Sequence, residues 1–133
     1  MIAVDASAIA AFILKEPGWR RLARHLTYSV TVDLAAEEAA NAIWKAYRLR
    51  GLVDREAALK LYRLLRRLLG VNVLPEPGER YLDTAFTVAL DHGLTVYDAL
   101  YVALALEKGL PLLTLDEKQA RVAEKLGVRV VAP

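Results

Sequence analysis

Residues 2–9 read IAVDASAI, a short apolar run followed at once by an acid and by the start of a helical pattern. The run ends at Val4, so Asp5 stands at the carboxyl end of a predicted strand and directly before a predicted helix. Ligands of open α/β sheets bind at this edge. Asp5 is equally typical of a helix N-cap, and the stretch by itself leaves both interpretations open.

The same alternation of a β-branched run and a longer amphipathic stretch continues along the chain. Strands are predicted at residues 2–4, 29–32, 71–74, 112–115 and 128–131. Helices are predicted at residues 7–15, 18–26, 34–50, 54–69, 79–92, 96–108 and 117–126. Strands that alternate with helices pair in parallel, because each helix carries the chain back to the same edge of the sheet. The pattern indicates an α/β fold in which helices cover both faces of a central parallel sheet.

Length and composition are typical of one globular domain. The chain has 133 residues, of which 56% are hydrophobic, and this is enough for a core of ordinary size. No linker rich in Pro, Gly or Ser divides it, so residues 1–133 are predicted to form a single domain. The absence of cysteine excludes disulfides and thiolate metal sites. Together with the lack of an export signal or a membrane span, it favours a cytoplasmic protein.

Positive charge is concentrated in one part of the chain. Residues 45–67 carry eight Lys or Arg against two acids, although the net charge of the whole chain is only +2. The helices predicted at 34–50 and 54–69 should form a hairpin that displays this charge, which favours a polyanionic partner. When the segment is considered alone, a solvated helix face is the simpler explanation.

Residues 95–105, TVYDALYVALA, place one carboxylate in an otherwise apolar helix. At helical spacing Asp98 shares a face with Tyr101 and Val102, so its carboxylate is predicted on the buried side. An unpaired charge is expensive there. Asp98 also completes a capping box with Thr95, but capping does not require a buried position.

Two more acids occupy comparable positions. Asp116 leaves a predicted strand as Asp5 does, although a capping box explains it as well. Glu38 lies early in its predicted helix, with Asn41 one turn further on. Helical geometry alone does not decide whether Glu37 or Glu38 points inward.

The predicted topology brings the four acids to one edge of the sheet. Two of them leave parallel strands there, and the other two lie near helix starts that approach the same edge. Carboxylates that converge without a cation repel one another and take up protons. Mg²⁺ or Mn²⁺ removes the repulsion and prefers oxygen ligands. Zinc is disfavoured, because the chain has no cysteine and its two histidines stand alone.

Four segments together resemble the PIN-domain family, most closely the VapC toxins of prokaryotic toxin–antitoxin pairs. They are VDASAI (4–9), EEAANAI (37–43), TVYDALYVALA (95–105) and LLTLDEK (112–118). The resemblance covers essentially the whole chain, and its last two segments are the most specific. It implies a three-layer α/β/α sandwich with a central parallel sheet.

The resemblance also implies a site and an activity. Members of the family are Mg²⁺- or Mn²⁺-dependent endoribonucleases, often homodimers, which an antitoxin blocks by laying a segment into the site. Carried over by position, the acidic quartet is Asp5, Glu38, Asp98 and Asp116, of which Asp5, Asp98 and Asp116 are the expected metal ligands. The polar positions that support the site are Ser7, Asn41 and Thr114.

On this interpretation the chain cleaves RNA, and its partners are RNA, a cognate antitoxin and a second copy of itself. The arginines expected to position RNA are Arg48, Arg50, Arg63, Arg66 and Arg67. Two alternatives stay open: a PIN nuclease of RNA maturation, or a non-catalytic RNA-binding or assembly module in which the acids only cap helices. A receiver-type phosphoacceptor domain is disfavoured, because it needs paired acids at the start and a lysine after its last strand.

Overall fold

The structure of the protein is a computed structural model that describes residues 1–131. Residues 132–133 of the predicted domain lie outside the described part. In chain order the elements are β1 (Ile2–Val4), α1 (Ala6–Ile13), α2 (Trp19–Leu26), β2 (Ser29–Val32), α3 (Leu34–Arg48), α4 (Arg55–Leu68), β3 (Val73–Glu76), a 3-10 turn (Gly78–Tyr81), α5 (Leu82–His92), α6 (Val96–Lys108), β4 (Leu112–Leu113), α7 (Glu117–Lys125) and β5 (Val130–Val131).

The strands form one parallel sheet in the order β3-β2-β1-β4-β5. The chain builds the sheet outward from β1 in one direction as far as β3, and then returns to build it in the other direction. Right-handed crossovers therefore place α1 to α4 on one face and α5 to α7 on the other. The prediction of a parallel sheet between two helical layers is confirmed.

The core lies on both faces of the two central strands. Every residue of β1 and β2 is buried, which is typical of a parallel sheet covered on both sides. Helix α6 contacts β1, β2 and β4, and its residues 99–105 are all buried. Helix α6 is thereby fixed against the middle of the sheet.

Strand β3 begins two residues later than predicted. Gly70 adopts a positive φ of 100°, and its N–H donates to the Val73 carbonyl at 2.7 Å. Residues 70–72 are therefore used in a turn, and the strand covers 73–76 instead of 71–74. It contains Pro75, which is tolerated because β3 is an edge strand.

Two other strands are shorter than predicted, and one predicted helix is divided. Only residues 112–113 and 130–131 pair as β4 and β5. The helix expected over 79–92 begins as a 3-10 turn, because the Gly78 N–H donates to the Asp33 carboxylate at 3.0 Å and fixes the entry of the chain. The predicted hairpin is present, with α3 and α4 in contact. No helix within residues 1–131 combines the length and the apolar character needed to cross a membrane.

Candidate active site

A cavity of about 170 Å³ opens at the carboxyl edge of the sheet, where β1 and β4 are neighbours and the direction of winding reverses. Ligands of open α/β sheets bind at such a switch point. The cavity is lined by Asp5, Ala6, Ser7, Ala10, Glu38, Ala42, Asp98, Tyr101, Asp116 and Gln119. The four acids predicted from the sequence therefore lie together.

Asp5 is only 2% exposed and is held by donors from three residues. The Ser7 hydroxyl lies 2.7 Å from Oδ1 and 2.9 Å from Oδ2, the Thr114 hydroxyl donates to Oδ2 at 2.5 Å, and the Ala8 N–H donates to Oδ1 at 3.1 Å. The last contact caps α1, so both interpretations of Asp5 are correct: it is an N-cap, and it lines the cavity.

Burial raises the pKa of Asp5 from 3.8 to about 6, and the charge of Asp116 adds to this effect. The hydrogen bonds from Thr114, Ser7 and Ala8 act in the opposite direction, because they favour the ionised form. The pKa of Asp5 stays above its ordinary value because burial outweighs these hydrogen bonds.

The short length of β4 explains how Thr114 reaches Asp5. Pairing ends at Leu113, and the chain then turns so that the Leu115 N–H donates to the Ser7 hydroxyl at 2.9 Å. The Asp116 N–H donates to the Thr114 hydroxyl at 3.0 Å. The carboxyl ends of β1 and β4 are thus joined by side chains where the backbone ladder stops, and the predicted supporting residues Ser7 and Thr114 form this junction.

Asp116 caps α7 and contributes charge to the cavity. Its Oδ1 accepts the Gln119 N–H at 2.8 Å. The same carboxylate raises the pKa of both Asp5 and Asp98, although burial is the larger cause for each. Capping and a place in the site are again compatible.

Glu38, and not Glu37, lines the cavity, which settles the choice that helical geometry left open. The buried Tyr101 hydroxyl donates to Glu38 Oε1 at 2.5 Å. Burial raises the pKa of Glu38, the charges of Asp98 and Glu37 raise it further, and the Tyr101 bond opposes them. Burial and the bond to Glu38 also raise the pKa of Tyr101. Tyr101 therefore stays protonated and acts as a hydrogen-bond donor to Glu38.

Asp98 lies at the rim of the cavity and is half-buried, so its predicted position is only partly correct. It occupies the first turn of α6, where its own N–H donates to the Thr95 hydroxyl at 3.2 Å. Burial raises its pKa, Asp116 adds to the rise, and the nearby Lys118 opposes it.

The structure does not bring every predicted residue to the cavity. Asn41 is exposed on α3 and is not among the lining residues, so the structure does not bring it to the cavity, and its supporting role stays a prediction. The face of α3 that carries Glu38 presents Ala42 to the cavity one turn later.

The predicted RNA-binding arginines are all exposed and lie outside the cavity. Three of them, Arg63, Arg66 and Arg67, line a groove of about 590 Å³ along α4 together with Lys60. Arg48 and Arg50 lie at the end of α3 and just beyond it, and they do not line this groove. The hairpin thus divides the five arginines into two groups.

Sequence reasoning missed Tyr101 and Gln119 as parts of the site. Tyr101 had a signal, since its helical spacing placed it on the face of Asp98. Gln119 had only its place in a capping box. Tyr101 and Gln119 are each 1% exposed, and both line the cavity with the acids.

The atoms that the four acids offer to a ligand are all carboxylate oxygens. Within residues 1–131, no ion pair includes any of the four acids. No group of three acids or histidines in this part of the chain is close enough to hold one ion directly. Such a set fits a hard dication that keeps part of its water shell, as Mg²⁺ does, better than an ion held by protein atoms alone.

Comparison with known proteins agrees with this fold. The family model for the PIN domain matches residues 2–125. The chain therefore belongs to the PIN-domain family, as its sequence segments predicted. It is 42% identical to Ribonuclease VapC3 of Pyrobaculum aerophilum over 122 residues, which covers 90% of this chain and 92% of that protein. It is 38% identical to Exonuclease VapC9 of the same organism over 135 residues, which covers 97% and 95% respectively.

Two solved structures share the fold. The crystal structure of PAE2754 from Pyrobaculum aerophilum matches with a TM-score of 0.68 and 34% identity, over 92% of this chain and 90% of that one. FitAcB from Neisseria gonorrhoeae matches with a TM-score of 0.62 over 100% and 98% of the two chains. At 20% identity the second match concerns the fold alone.

Proposed function

We propose that this protein is a Mg²⁺- or Mn²⁺-dependent endoribonuclease and the toxin of a VapBC-type toxin–antitoxin pair. The observation that carries the proposal is the cavity in which carboxylates from four distant segments meet with no cation paired to them among the described residues. Membership of the PIN-domain family and similarity to relatives named ribonuclease and exonuclease support it.

Asp5, Asp98 and Asp116 are the residues that would hold the cation, in part through water molecules of its shell. When bound, the cation lowers the pKa of water and offsets charge on the phosphoryl oxygens. Ser7 and Thr114 fix the Asp5 carboxylate in one orientation, since each donates to it. This leaves Asp5 little freedom to turn away from the cavity.

Glu38 is the proposed proton acceptor for the attacking water. Its raised pKa makes it a stronger base than an exposed glutamate, which suits proton transfer near neutral pH. The Tyr101 hydroxyl holds Glu38 Oε1 and so keeps the side chain turned toward the cavity. The role of Tyr101 is therefore to position the base.

The exposed arginines of the α3–α4 hairpin are the proposed contacts to the RNA backbone. Arginine suits this role, because its planar fork binds phosphate oxygens through two hydrogen bonds. Arg63, Arg66 and Arg67 share one groove, which gives a strand a continuous track. Binding of this kind weakens as salt concentration rises.

The names of the two relatives differ on one point that bears on this chain. One is called a ribonuclease and the other an exonuclease. We infer internal cleavage here, and a circular RNA is a direct test because it offers no end. Its conversion to linear products supports an endonuclease, whereas cleavage of linear RNA alone indicates an exonuclease.

An antitoxin and a second copy of the chain are the proposed protein partners, and the cytoplasm is the proposed location. The VapC names of the relatives support the antitoxin. Large apolar side chains on the hairpin, including Trp44 at 50% and Leu52 at 61% exposure, supply surface for a protein partner.

The decisive experiment replaces Asp98 by Asn. The Thr95 hydroxyl caps α6 by accepting from the Asp98 N–H, which the substitution keeps, so the fold and RNA binding should be retained. Mn²⁺-dependent cleavage should fall more than about 100-fold, since even residues that only support metal ligands cost 10–100-fold. Cleavage of a labelled RNA, binding of the same RNA in chelator, and circular dichroism measure the three properties.

Asp83→Asn is the matched control. Asp83 is an exposed acid in the first turn of α5, outside the cavity, and its loss should leave cleavage unchanged. If Asp98→Asn cleaves RNA as fast as the unaltered protein, Asp98 has no part in catalysis and the proposed site is wrong. If the unaltered protein binds RNA but does not cleave it with Mn²⁺ present, the chain is a non-catalytic module.

A further inference from the structure

Lys118 is an exposed base in the first turn of α7, two residues after Asp116. Its ammonium group donates to the Gly93 carbonyl at 2.8 Å, and Gly93 is the residue at which α5 ends. The contact joins the start of α7 to the short connection that leads into α6 and to Asp98. Lys118 is therefore held beside two segments that carry acids of the cavity.

The charge of Lys118 acts on the acid cavity. It opposes the rise in the pKa of Asp98 that burial and Asp116 cause. Within residues 1–131, no base opposes the raised pKa of Asp5 or Glu38 in this way. Lys118 forms no ion pair in the described part of the chain, so direct contact with a carboxylate does not neutralise it. It supplies positive charge beside the rim of a cavity whose charged lining residues are all acids.

The stability of α7 does not explain a lysine at this position. The first turn of a helix carries the positive end of its dipole, so a cation there is unfavourable. The hydrogen bond to the Gly93 carbonyl uses only one of the three donors of the ammonium group, and a neutral donor would also serve it. The charge of Lys118 and its other two donors are open to solvent, where an anion can reach them.

Lys118 lies across the cavity from the proposed RNA-binding arginines. Those arginines belong to the α3–α4 hairpin on one face of the sheet, whereas α7 covers the other face. The acids lie between the two, since Glu38 comes from α3 and Asp116 caps α7. An RNA strand that runs from the hairpin over the acids therefore reaches Lys118 next.

We propose that Lys118 binds a phosphate of the RNA substrate on the side of the cut site away from the arginine hairpin. Positive charge from the protein is needed there, because four ionised carboxylates repel phosphate and one dication does not balance them. A lysine ammonium suits the role, since it binds phosphate oxygens as a compact point charge. The inference rests on the proposed function for the RNA substrate and the cut site.

The test is steady-state cleavage of a labelled RNA with saturating Mn²⁺ at several salt concentrations. Lys118→Gln keeps a donor for the Gly93 carbonyl but removes the charge. Its KM should rise about tenfold, the size of effect expected for a hydrogen bond to a charged group, and kcat should change little. The slope of log KM against log salt concentration should fall by about 0.7, the value of one phosphate contact on a single strand.

Three further variants separate the charge of Lys118 from its structural contact. Lys118→Arg keeps both the charge and the donors, so it should retain the KM and the salt dependence of the unaltered protein. Lys118→Met removes both and should raise KM as much as Lys118→Gln does, with circular dichroism as the check on folding. Lys125→Met is the matched control, because it removes an exposed lysine from the last turn of the same helix and should leave KM unchanged.

The outcomes separate this inference from the proposed function. A KM and a salt slope of Lys118→Gln equal to those of the unaltered protein overturn the role of Lys118 and leave the nuclease proposal standing. Equal rises of KM in the Gln and Arg variants also overturn it, because they would show that the charge is not what matters. Absence of cleavage by the unaltered protein overturns both proposals. A rise in KM that Arg prevents, together with the lower salt slope, supports the inference.

Discussion

The two edges of the sheet differ in both volume and chemistry. At the amino edge, a cavity of about 650 Å³ lies between the end of α2 and the start of β5. The cavity among the acids at the carboxyl edge has only about 170 Å³. Within the described residues 1–131, no buried polar residue lines the larger cavity, whereas the smaller one is lined by the buried residues Asp5 and Gln119.

The direction of the chain explains this contrast. In a parallel sheet the helices that follow the strands begin at the carboxyl edge, so their positive dipole ends gather there and favour acids. Helices end at the amino edge, where α2 carries Arg24 and His25 in its last turn. Acids at one edge and bases at the other are therefore ordinary. The carboxyl edge is unusual because one of its acids is buried, the other three are half-buried, and none of them forms an ion pair within residues 1–131. Cavity volume alone would favour the cavity at the amino edge over the smaller one among the acids.

The largest expected effect tests this contrast directly. Asp116→Asn retains an oxygen for the cap of α7 but removes one negative charge, and Mn²⁺-dependent RNA cleavage should fall more than about 100-fold. Arg24→Gln removes a charge from the larger cavity and should leave the cleavage rate unchanged. Comparable losses in both variants would show that the two edges do not differ in function.

A second prediction concerns the stability of the protein with divalent cations chelated. The pKa of Asp5 is about 6 in the folded protein and 3.8 ordinarily, so between these values the unfolded chain ionises first. Stability should therefore fall as pH rises from about 4 to about 6, by up to about 3 kcal/mol, and stay low above pH 6.

Urea unfolding from pH 4 to pH 7 measures this fall, with Asp5→Asn as the control. The raised pKa values of Glu38 and Asp98 act in the same direction and remain in the variant, so its dependence on pH should be shallower but not absent. Identical slopes for the two proteins would contradict the assignment to Asp5. Added Mn²⁺ should reduce the fall in the unaltered protein.

The smallest expected effect compares two buried tyrosines that each donate to a carboxylate. Tyr101 bonds Glu38 in the cavity, and Tyr81 bonds Glu76 outside it. Replacing either by Phe should cost about 1 kcal/mol of stability. Only Tyr101→Phe should move the acidic limb of the cleavage profile to higher pH, because the Tyr101 bond lowers the pKa of Glu38. A shift of the acidic limb in both variants would show that the effect is not specific to the bond between Tyr101 and Glu38.

The sequence was most informative where local pattern and topology agree. Asp5 directly follows an apolar strand and Asp116 lies three residues beyond the end of another, and parallel pairing brings the ends of such strands to one edge. Their capping signals did not compete with this prediction, because a carboxylate has two oxygens and can serve a helix and a cavity together. The helix containing Asp98 was equally clear, although its first turn opens onto the cavity and leaves Asp98 half-buried.

The rest depended on contacts between distant residues. The bond from Tyr101 to Glu38 spans 63 positions, and no local pattern encodes it. Strand β4 looked longer than it is, since Thr114 has the β-branched character of a strand but leaves the ladder to reach Asp5. In the sequence, Gln119 is visible only as the last residue of a capping box that begins at Asp116. Local pattern does not show that the Asp116 N–H donates to Thr114 instead, or that Gln119 is buried.

The hydrogen bond from Thr114 to Asp5 joins residues 109 positions apart and so links the beginning of the polypeptide to its last quarter. During translation Asp5 leaves the ribosome well before Thr114 and Asp116. Before β4 docks beside β1, the acids do not share a cavity. The cavity therefore cannot form while the chain is shorter than residues 1–116, whatever structure the earlier segments have already reached.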